Sequence, residues 1–245
     1  MKEWITGRNP VYEMLRAKRR QIIRLLIAEG VKTDARISEI MQIVKPYKIQ
    51  VDTVRRTQLD SLSDNHQGVA AEVSAYPYSD LDSILKLARQ KEQDPFILIL
   101  DTLQNPQNLG TLLRSAEAFG VHGVLIPLRH ATGVTPAVVN ASAGASEHML
   151  IASANLAQSI DELKKENIWV IGLEGSSAAQ PPEKLRLGGP TALVVGSEGE
   201  GMRELVRKSC DVLMRLPLEG KIESLNAAVA GSIGLYLINQ ARNRG

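Results

Sequence analysis

The chain has 245 residues, of which 44% are hydrophobic and 23% charged, with 29 Lys+Arg against 27 Asp+Glu. That is enough apolar material for one large or two modest domains. A single cysteine, Cys210, excludes an internal disulfide and suits a reducing cytoplasm; no apolar run approaches the ~20 residues of a membrane span, and the N-terminus MKEWITGRNP lacks a signal-peptide core.

Charge is unevenly spread. Residues 1–76 carry 13 Lys+Arg against 9 Asp+Glu, whereas residues 77–245 carry 16 against 18. The excess clusters at Arg16, Lys18, Arg19, Arg20 and Arg24. Such a cluster suits a polyanion, because phosphate contacts release counterions, and it equally suits a solvated helix end. Aromatic residues make up only 4%, so platforms for stacking single-stranded bases are scarce.

In chain order, residues 8–20 read as a first helix, with Asn9 as its cap and Pro10 at its first position. A strand over 21–28 follows, then a helix capped by Asp34 and running to Val44, a strand over 49–54, a short helix over 57–62 and a strand over 69–73. This alternation predicts a small domain with a sheet core. His66 lies in a polar loop with no metal partner at ligand spacing. Residues 74–80, SAYPYSD, read as a linker, and 81–92 as a connecting helix.

The second part alternates more regularly. Strands are predicted at 96–100, 121–126, 149–152, 168–173 and 191–195, with helices starting at Asn108, Thr135 and Asn155 between them. That pattern predicts a parallel α/β sheet. Val194 and Val195 run directly into Gly196, Gly199 and Gly201, so a buried strand meets a loop whose backbone something approaches closely. Leu213–Leu216 alternates around Arg215, Pro217 stops that strand, Gly220 frees a turn, and Ser224 is placed to cap a closing helix to about Asn243. Two glycine-bearing loops at strand ends suggest one pocket at the carboxyl edge of the sheet, although glycines after a strand also make plain turns.

The usual signatures of other chemistries are missing. There is no GxxxxGK[ST], GxSxG or HExxH, and GSEGEG does not have the GxGxxG spacing. The four histidines, His66, His122, His130 and His148, are scattered, and Cys210 suits a buried inert thiol. On the helix from Asn108, Gly110 and Arg114 share a face, and a surface pair of Arg114 with Glu117 is the plain alternative.

Three segments carry a specific resemblance: NLGTLLR (Asn108–Arg114), LVVGSEGEGM (Leu193–Met202) and LPLEGKIESLNAAVA (Leu216–Ala230). In order and spacing they resemble the three motifs of the SpoU, or TrmH, branch of the SPOUT RNA methyltransferases. GRNPVYEML (Gly7–Leu15) resembles the start of that branch's small L30e-like substrate-binding domain. The architecture is most similar to the RlmB-type enzymes, which act on the ribose 2′-hydroxyl of a guanosine in large-subunit (23S) rRNA.

The resemblance implies an L30e-like α/β domain over 1–76, a linker and helix over 77–94, and a parallel-sheet catalytic domain over 95–245 with a deep C-terminal trefoil knot. It implies S-adenosyl-L-methionine as cofactor, contacted by Leu173, Glu174, Gly175, Gly196, Leu216 and Leu225. The catalytic arginine maps onto Arg114, and the other motif residues onto Asn108, Glu198, Ser224 and Asn226. RNA contacts are expected from Arg8, Arg16, Lys18, Arg19 and Arg20. A homodimer is implied, with Leu225, Ala228, Val229, Ser232 and Ile233 as an apolar face of the closing helix; no metal and no membrane are implied. An arginine side chain stays protonated, so Arg114 is expected to act electrostatically and by positioning, oriented by Glu198. The alternatives are a 2′-O-methyltransferase of tRNA or another rRNA site, a thiopeptide-resistance methyltransferase, and a non-catalytic RNA-binding or ribosome-assembly protein. The five intact motif residues speak against the last.

Overall fold

The computed structural model describes residues 2–129 and 131–243, so His130 lies outside the described residues. The first sheet is built from β1 (Lys2–Thr6), β2 (Ile22–Ala28), β3 (Gln50–Val54) and β4 (Val69–Ser74), in the order β1-β4-β2-β3. β4 runs antiparallel to both β1 and β2, while β2 and β3 are parallel. Strand β1 was not expected, because KEWIT is short and only Trp4 and Ile5 are strongly apolar; pairing along β4 makes it a strand. Helices α1 (Arg8–Ala17) and α3 (Arg56–Asp60) pack on this sheet and α2 (Ala35–Val44) packs on α1, with Val11, Met14, Leu15, Ile37, Ile40 and Leu59 all buried. Each such side chain contributes roughly 1.5–3 kcal/mol.

Helix α1 departs from expectation at both ends. Gly7, at φ 91°, occupies the cap position instead of Asn9, and the helix stops at Ala17 because Lys18 turns left-handed at φ 54°. Arg19 and Arg20 therefore lie beyond the helix and turn inward.

The chain continues through α4 (Leu81–Gln90), β5 (Phe96–Leu100), α5 (Pro106–Ala118) and β6 (Gly123–Pro127). Helix α6 (Pro136–Ala141) and the 3-10 turn Ala145–His148 then pack with the first unit, which by compactness comprises Met1–Pro77 and Val134–His148. The sequence reading leaves those fifteen or so residues in the second domain. The rest follows as β7 (Leu150–Ala154), α7 (Leu156–Lys165), β8 (Trp169–Leu173), β9 (Thr191–Val195), α8 (Glu204–Ser209), β10 (Val212–Met214) and α9 (Ala227–Arg242).

The second sheet has the order β10-β8-β9-β5-β6-β7 and every pair in it is parallel. Strands β5 (FILIL) and β9 (TALVV) are buried at every position, as expected of central parallel strands covered on both faces. His122 is a satisfied structural histidine: Nδ1 accepts from the Phe96 N–H at 3.0 Å and Nε2 meets Gln93 at 3.0 Å. Burial, with Lys91 and Arg242 nearby, holds its pKa down at about 4. His66 is likewise engaged, with Gly68 N and Asp60. Burial pushes the Cys210 thiol up to about 12, so it is not a nucleophile at neutral pH. Among the described residues no helix is long and apolar enough to cross a membrane.

Two helix starts differ from the sequence reading, and both matter for the site. Helix α5 begins at Pro106, capped by Asn105, whose side chain accepts from Gln107 N at 2.8 Å. Asn108 is thus inside the first turn with its amide free to reach elsewhere. Helix α9 is capped by Asn226 rather than Ser224: Asn226 Oδ1 accepts from Ala228 N at 2.9 Å and Val229 N at 3.1 Å. Its glycines permit tight seating. A Cβ on Gly231 would stand 2.6 Å from Leu112 and 3.1 Å from Val195, so α9 packs against α5 and β9 where a larger residue would not fit. The expected apolar face of α9 divides. Ala228 is buried and Ser232 bonds Ser115 at 2.8 Å, whereas Val229, Ile233 and Tyr236 face outward.

Candidate active site

Register places the site. Leu173 of β8 is level with Val195 of β9 and with Met214 of β10, so the loops leaving these three strands start at one edge of the sheet. Together with the run into α9 they enclose a cavity of about 620 Å³. This is the carboxyl edge of a parallel sheet, where open α/β folds place ligands.

Each wall has a local cause. After β9 the chain turns back on itself: Ser197 N donates to Gly201 O at 3.0 Å and Gly201 N to Ser197 O at 3.1 Å. Gly199 and Gly201 have φ of 84° and 71°, in the left-handed region. A Cβ on Gly196 would stand 2.2 Å from the Gly201 carbonyl carbon and 2.4 Å from Met202 N, so only glycine fits. The far end of this loop is buckled down by Asp101, which is fully buried at the end of β5. Its carboxylate accepts from Arg203 N and Arg203 Nε, both at 2.7 Å. In the sequence Asp101 is simply the residue that ends a strand, and nothing local distinguishes it or Arg203, because the pair is made 102 residues apart.

All six expected cofactor residues line the cavity: Leu173, Glu174, Gly175, Gly196, Leu216 and Leu225. Glu174 is gripped by Arg207 of α8, through Nε at 2.6 Å and Nη2 at 3.0 Å. That bond holds its carboxyl below the usual range, so it is ionised. Glu198, Ser224 and Asn226 also line the cavity, as does Glu223, which the sequence reading passed over beside Ser224.

Of the five expected catalytic residues, three meet directly. Asn108 Nδ2 donates to Glu198 Oε1 at 3.0 Å, Asn226 Nδ2 donates to Asn108 Oδ1 at 3.1 Å, and Asn226 also bonds Glu198. Ala227 N adds a longer contact to Glu198 at 3.4 Å. The network ties α5, the β9–α8 loop and the start of α9 together, and Asn226 is both cap and network member. Ser224 is exposed in the cavity wall and outside the network. Arg114 is exposed on α5 and is not a lining residue. The expected contact with Glu198 is not made: Glu198 is occupied by the two asparagines. Nor does Arg114 pair with Glu117; among the described residues it has no ion pair.

The expected RNA contacts fare unevenly. Arg20 is a correction: its side chain is fully buried, with Nη2 on Glu147 at 2.8 Å and Nη1 on Glu3 at 2.6 Å. It is a core group of the first unit and cannot reach a phosphate there. Arg19 donates to Tyr76 Oη at 3.1 Å and to the Pro77 carbonyl at 3.0 Å. Arg24 is paired with Glu72 at 2.7 Å. Lys18 lies over the Tyr47 ring, and Arg16 lies beside Glu13 and over Tyr12. Arg8 pairs with Asp34 and lines a second cavity, in the first unit. Among the described residues no group of three His, Cys, Asp or Glu is placed to hold a metal ion.

Comparison with known proteins places this geometry. Residues 95–236 match the SpoU rRNA Methylase family, and residues 4–79 match a domain described as RNA 2′-O ribose methyltransferase substrate binding. The Bacillus subtilis (strain 168) protein YacO, assigned to the TrmH family of tRNA/rRNA methyltransferases, is 42% identical over 244 residues, covering 98% of this chain and 96% of that one. The SpoU methyltransferase AviRb from Streptomyces viridochromogenes, solved with the cofactor AdoMet, superposes with TM-score 0.80 at 23% identity, covering 100% of this chain and 92% of that one. A solved RNA 2′-O ribose methyltransferase gives TM-score 0.77 at 25% identity, covering 98% and 88%.

Proposed function

The chain belongs to the SpoU/TrmH family of RNA methyltransferases, and from that premise we propose that it transfers a methyl group from S-adenosyl-L-methionine to a ribose 2′-hydroxyl, that of a guanosine in large-subunit (23S) rRNA. The observation that carries the cofactor assignment is the charge of the cavity. Glu174, Glu198 and Glu223 line it, and among the described residues no Lys or Arg does. Glu174 is offset by Arg207, but Glu198 and Glu223 have no ion pair among the described residues, so a phosphate-bearing nucleotide would meet uncompensated carboxylates that match a sulfonium and an ammonium. Leu173, Leu216, Leu218 and Met202 supply apolar wall for an adenine and a thioether. The volume of about 620 Å³ falls within the range of cofactor sites. When bound, the cofactor supplies an electrophilic methyl group.

The chain's own residues then position and polarise. Glycine backbone at Gly175 and Gly196 lets amides approach the ligand. The Asn108–Glu198–Asn226 network fixes the wall beside Ser224. Arg114 stays protonated, so beside a nucleotide it lowers the pKa of the hydroxyl or holds a neighbouring phosphate and does not accept the proton. Holding the reacting atoms in line is expected to supply much of the rate. The stripe Val229, Ile233 and Tyr236, 47%, 37% and 48% exposed, is the surface we assign to a second copy of the chain. The trefoil knot and a cytoplasmic location belong to the same reading. A dedicated substrate-binding unit favours rRNA over tRNA as the target.

Methyl-labelled S-adenosylmethionine, purified protein and unmodified bacterial RNA test this, with the label mapped to single nucleotides. One 2′-O-methylguanosine in 23S rRNA is expected. Label confined to tRNA would overturn the rRNA target and leave the chemistry. No transfer to naked rRNA or to ribosomal precursors would overturn the enzymatic reading.

A further inference from the structure

Three of the five basic residues most prominent in the sequence are taken up by the fold. Arg19, Arg20 and Arg24 are taken up by Tyr76, Glu147, Glu3 and Glu72. A different set of cations converges instead. Ala28 and Val54 are partners in the parallel β2–β3 register, so the segments leaving these strands emerge side by side. Gly30–Lys32 leaves β2 there and Arg56 leaves β3. Thr6 is level with Ala70, and Ile27 with Val69, so Arg8 after β1 and Gln67 before β4 arrive at the same edge. Arg8, Lys32 and Arg56 together line a cavity of about 620 Å³, with Gly30, Val31 and Gln67 completing it.

The cavity is braced. Gln67 and Gly68 have φ of 51° and 83°, and a Cβ on Gly68 would stand 2.4 Å from Val31. Arg8 Nε donates to the Gln67 carbonyl at 3.1 Å, and Gln67 Oε1 accepts from Arg8 N at 3.0 Å. Of the carboxylates around it, Asp34 pairs with Arg8 and accepts from Ile37 N at 3.0 Å as the cap of α2, and Glu29, next to Gly30, is exposed and does not line the cavity. Lys32 and Arg56 are exposed and have no ion pair among the described residues. Among the described residues no acidic and no aromatic residue lines the cavity.

We propose that Arg8, Lys32 and Arg56 form a cradle for the phosphodiester backbone of the RNA substrate. The proposal rests on the reading of this protein as an RNA methyltransferase and names where its substrate is gripped. Three cations with no lining carboxylate favour an anion, and a lining without aromatic rings offers no base-stacking surface, so the cradle anchors backbone and does not read sequence. Arg8, already bonded, sets the geometry; Lys32 and Arg56 supply the unspent charge.

The test is a Lys32→Gln/Arg56→Gln double variant of the full chain, with an in vitro transcript of 23S rRNA and an unrelated RNA of equal length, in filter binding across about 50–200 mM salt. Neither side chain has a partner to lose, so the fold should hold, and thermal unfolding checks it. Affinity should fall on the order of tenfold for both RNAs, and the slope of log affinity against log salt should become shallower by about two. S-adenosylmethionine affinity, read by calorimetry, should not change. Lys45→Gln, a cation just past the other end of α2, should leave RNA affinity within about twofold, since a ten-residue helix spans ~15 Å. An unchanged slope, or an equal loss in Lys45→Gln, would overturn the cradle. Binding is read without turnover, so cradle-dependent binding without methyl transfer defeats the enzymatic reading alone. Methyl transfer with unaltered binding defeats the cradle alone.

Discussion

Two cavities of about 620 Å³ each, one in each unit, carry opposite linings. Among the described residues, the cavity at the β8–β9–β10 edge has three glutamates and no cation, and the one at the β2–β3 edge has two arginines, a lysine and no acid. Both sit where loops leave strands, and both depend on glycines that let one loop press on another. What differs is which charges the surrounding fold leaves unspent. In the first unit most arginines are consumed by internal carboxylates and carbonyls, and among the described residues Arg55 and Arg56, where β3 ends, have no ion pair. In the second, Asp101 is spent on Arg203, while Glu198 and Glu223 remain on the cavity wall. Volume sets what can enter, and the residual sign of the wall selects among the candidates.

The largest effect that would sharpen this contrast is on the spent side. Arg20→Met strands Glu147 in the core of the first unit, and breaking a buried pair in this way costs about 3–5 kcal/mol. Urea unfolding should show that loss, and Arg20→Met/Glu147→Leu should recover much of it. A single variant as stable as the wild type would place Arg20 among the free cations after all.

Next comes the glycine wall. Gly196→Ala forces a methyl group to within 2.2 Å of the Gly201 carbonyl carbon, and backbone must move. S-adenosylmethionine affinity should drop in calorimetry, and methyl transfer should slow roughly a hundredfold, as expected when reacting groups are displaced by about 1 Å. Wild-type affinity would show that the loop does not shape the cofactor site.

The smallest effect probes charge directly. Glu198→Gln keeps the shape of the wall, removes one negative charge and replaces an acceptor with an amide in the Asn108–Asn226 network. Cofactor affinity should fall on the order of tenfold, and the loss should shrink as salt is raised. If affinity rises instead, the sign of the lining is not what selects the ligand.

Much of this molecule was legible in the chain itself. Central strands such as FILIL and TALVV are buried at every position and, Thr191 apart, apolar throughout, because both of their faces are covered. The motif segments were equally legible, since glycines directly after a buried strand have few uses. Positions at element ends were harder. Ser224 and Asn226 are both good caps by type, and only the seating of α9 against α5 and β9 decides that Asn226 takes the role while Ser224 faces the cavity. Strand β1 was invisible for a related reason: its stability comes from β4, about 65 residues away.

By itself, then, the sequence determined where the β/α alternation runs, where the sheet edge opens, and which residue types are offered to a ligand. Only the tertiary structure decided which of them remain available. Arg20 was as good an RNA contact as Lys32 by composition. Its partner Glu147 stands 127 residues on, in a segment that packs with the first unit. Lys32 and Arg56, 24 positions apart, meet because two parallel strands end level. Local preference is written in neighbouring residues, but the cost of burying a charge and the partner that offsets it are settled by contacts far along the chain.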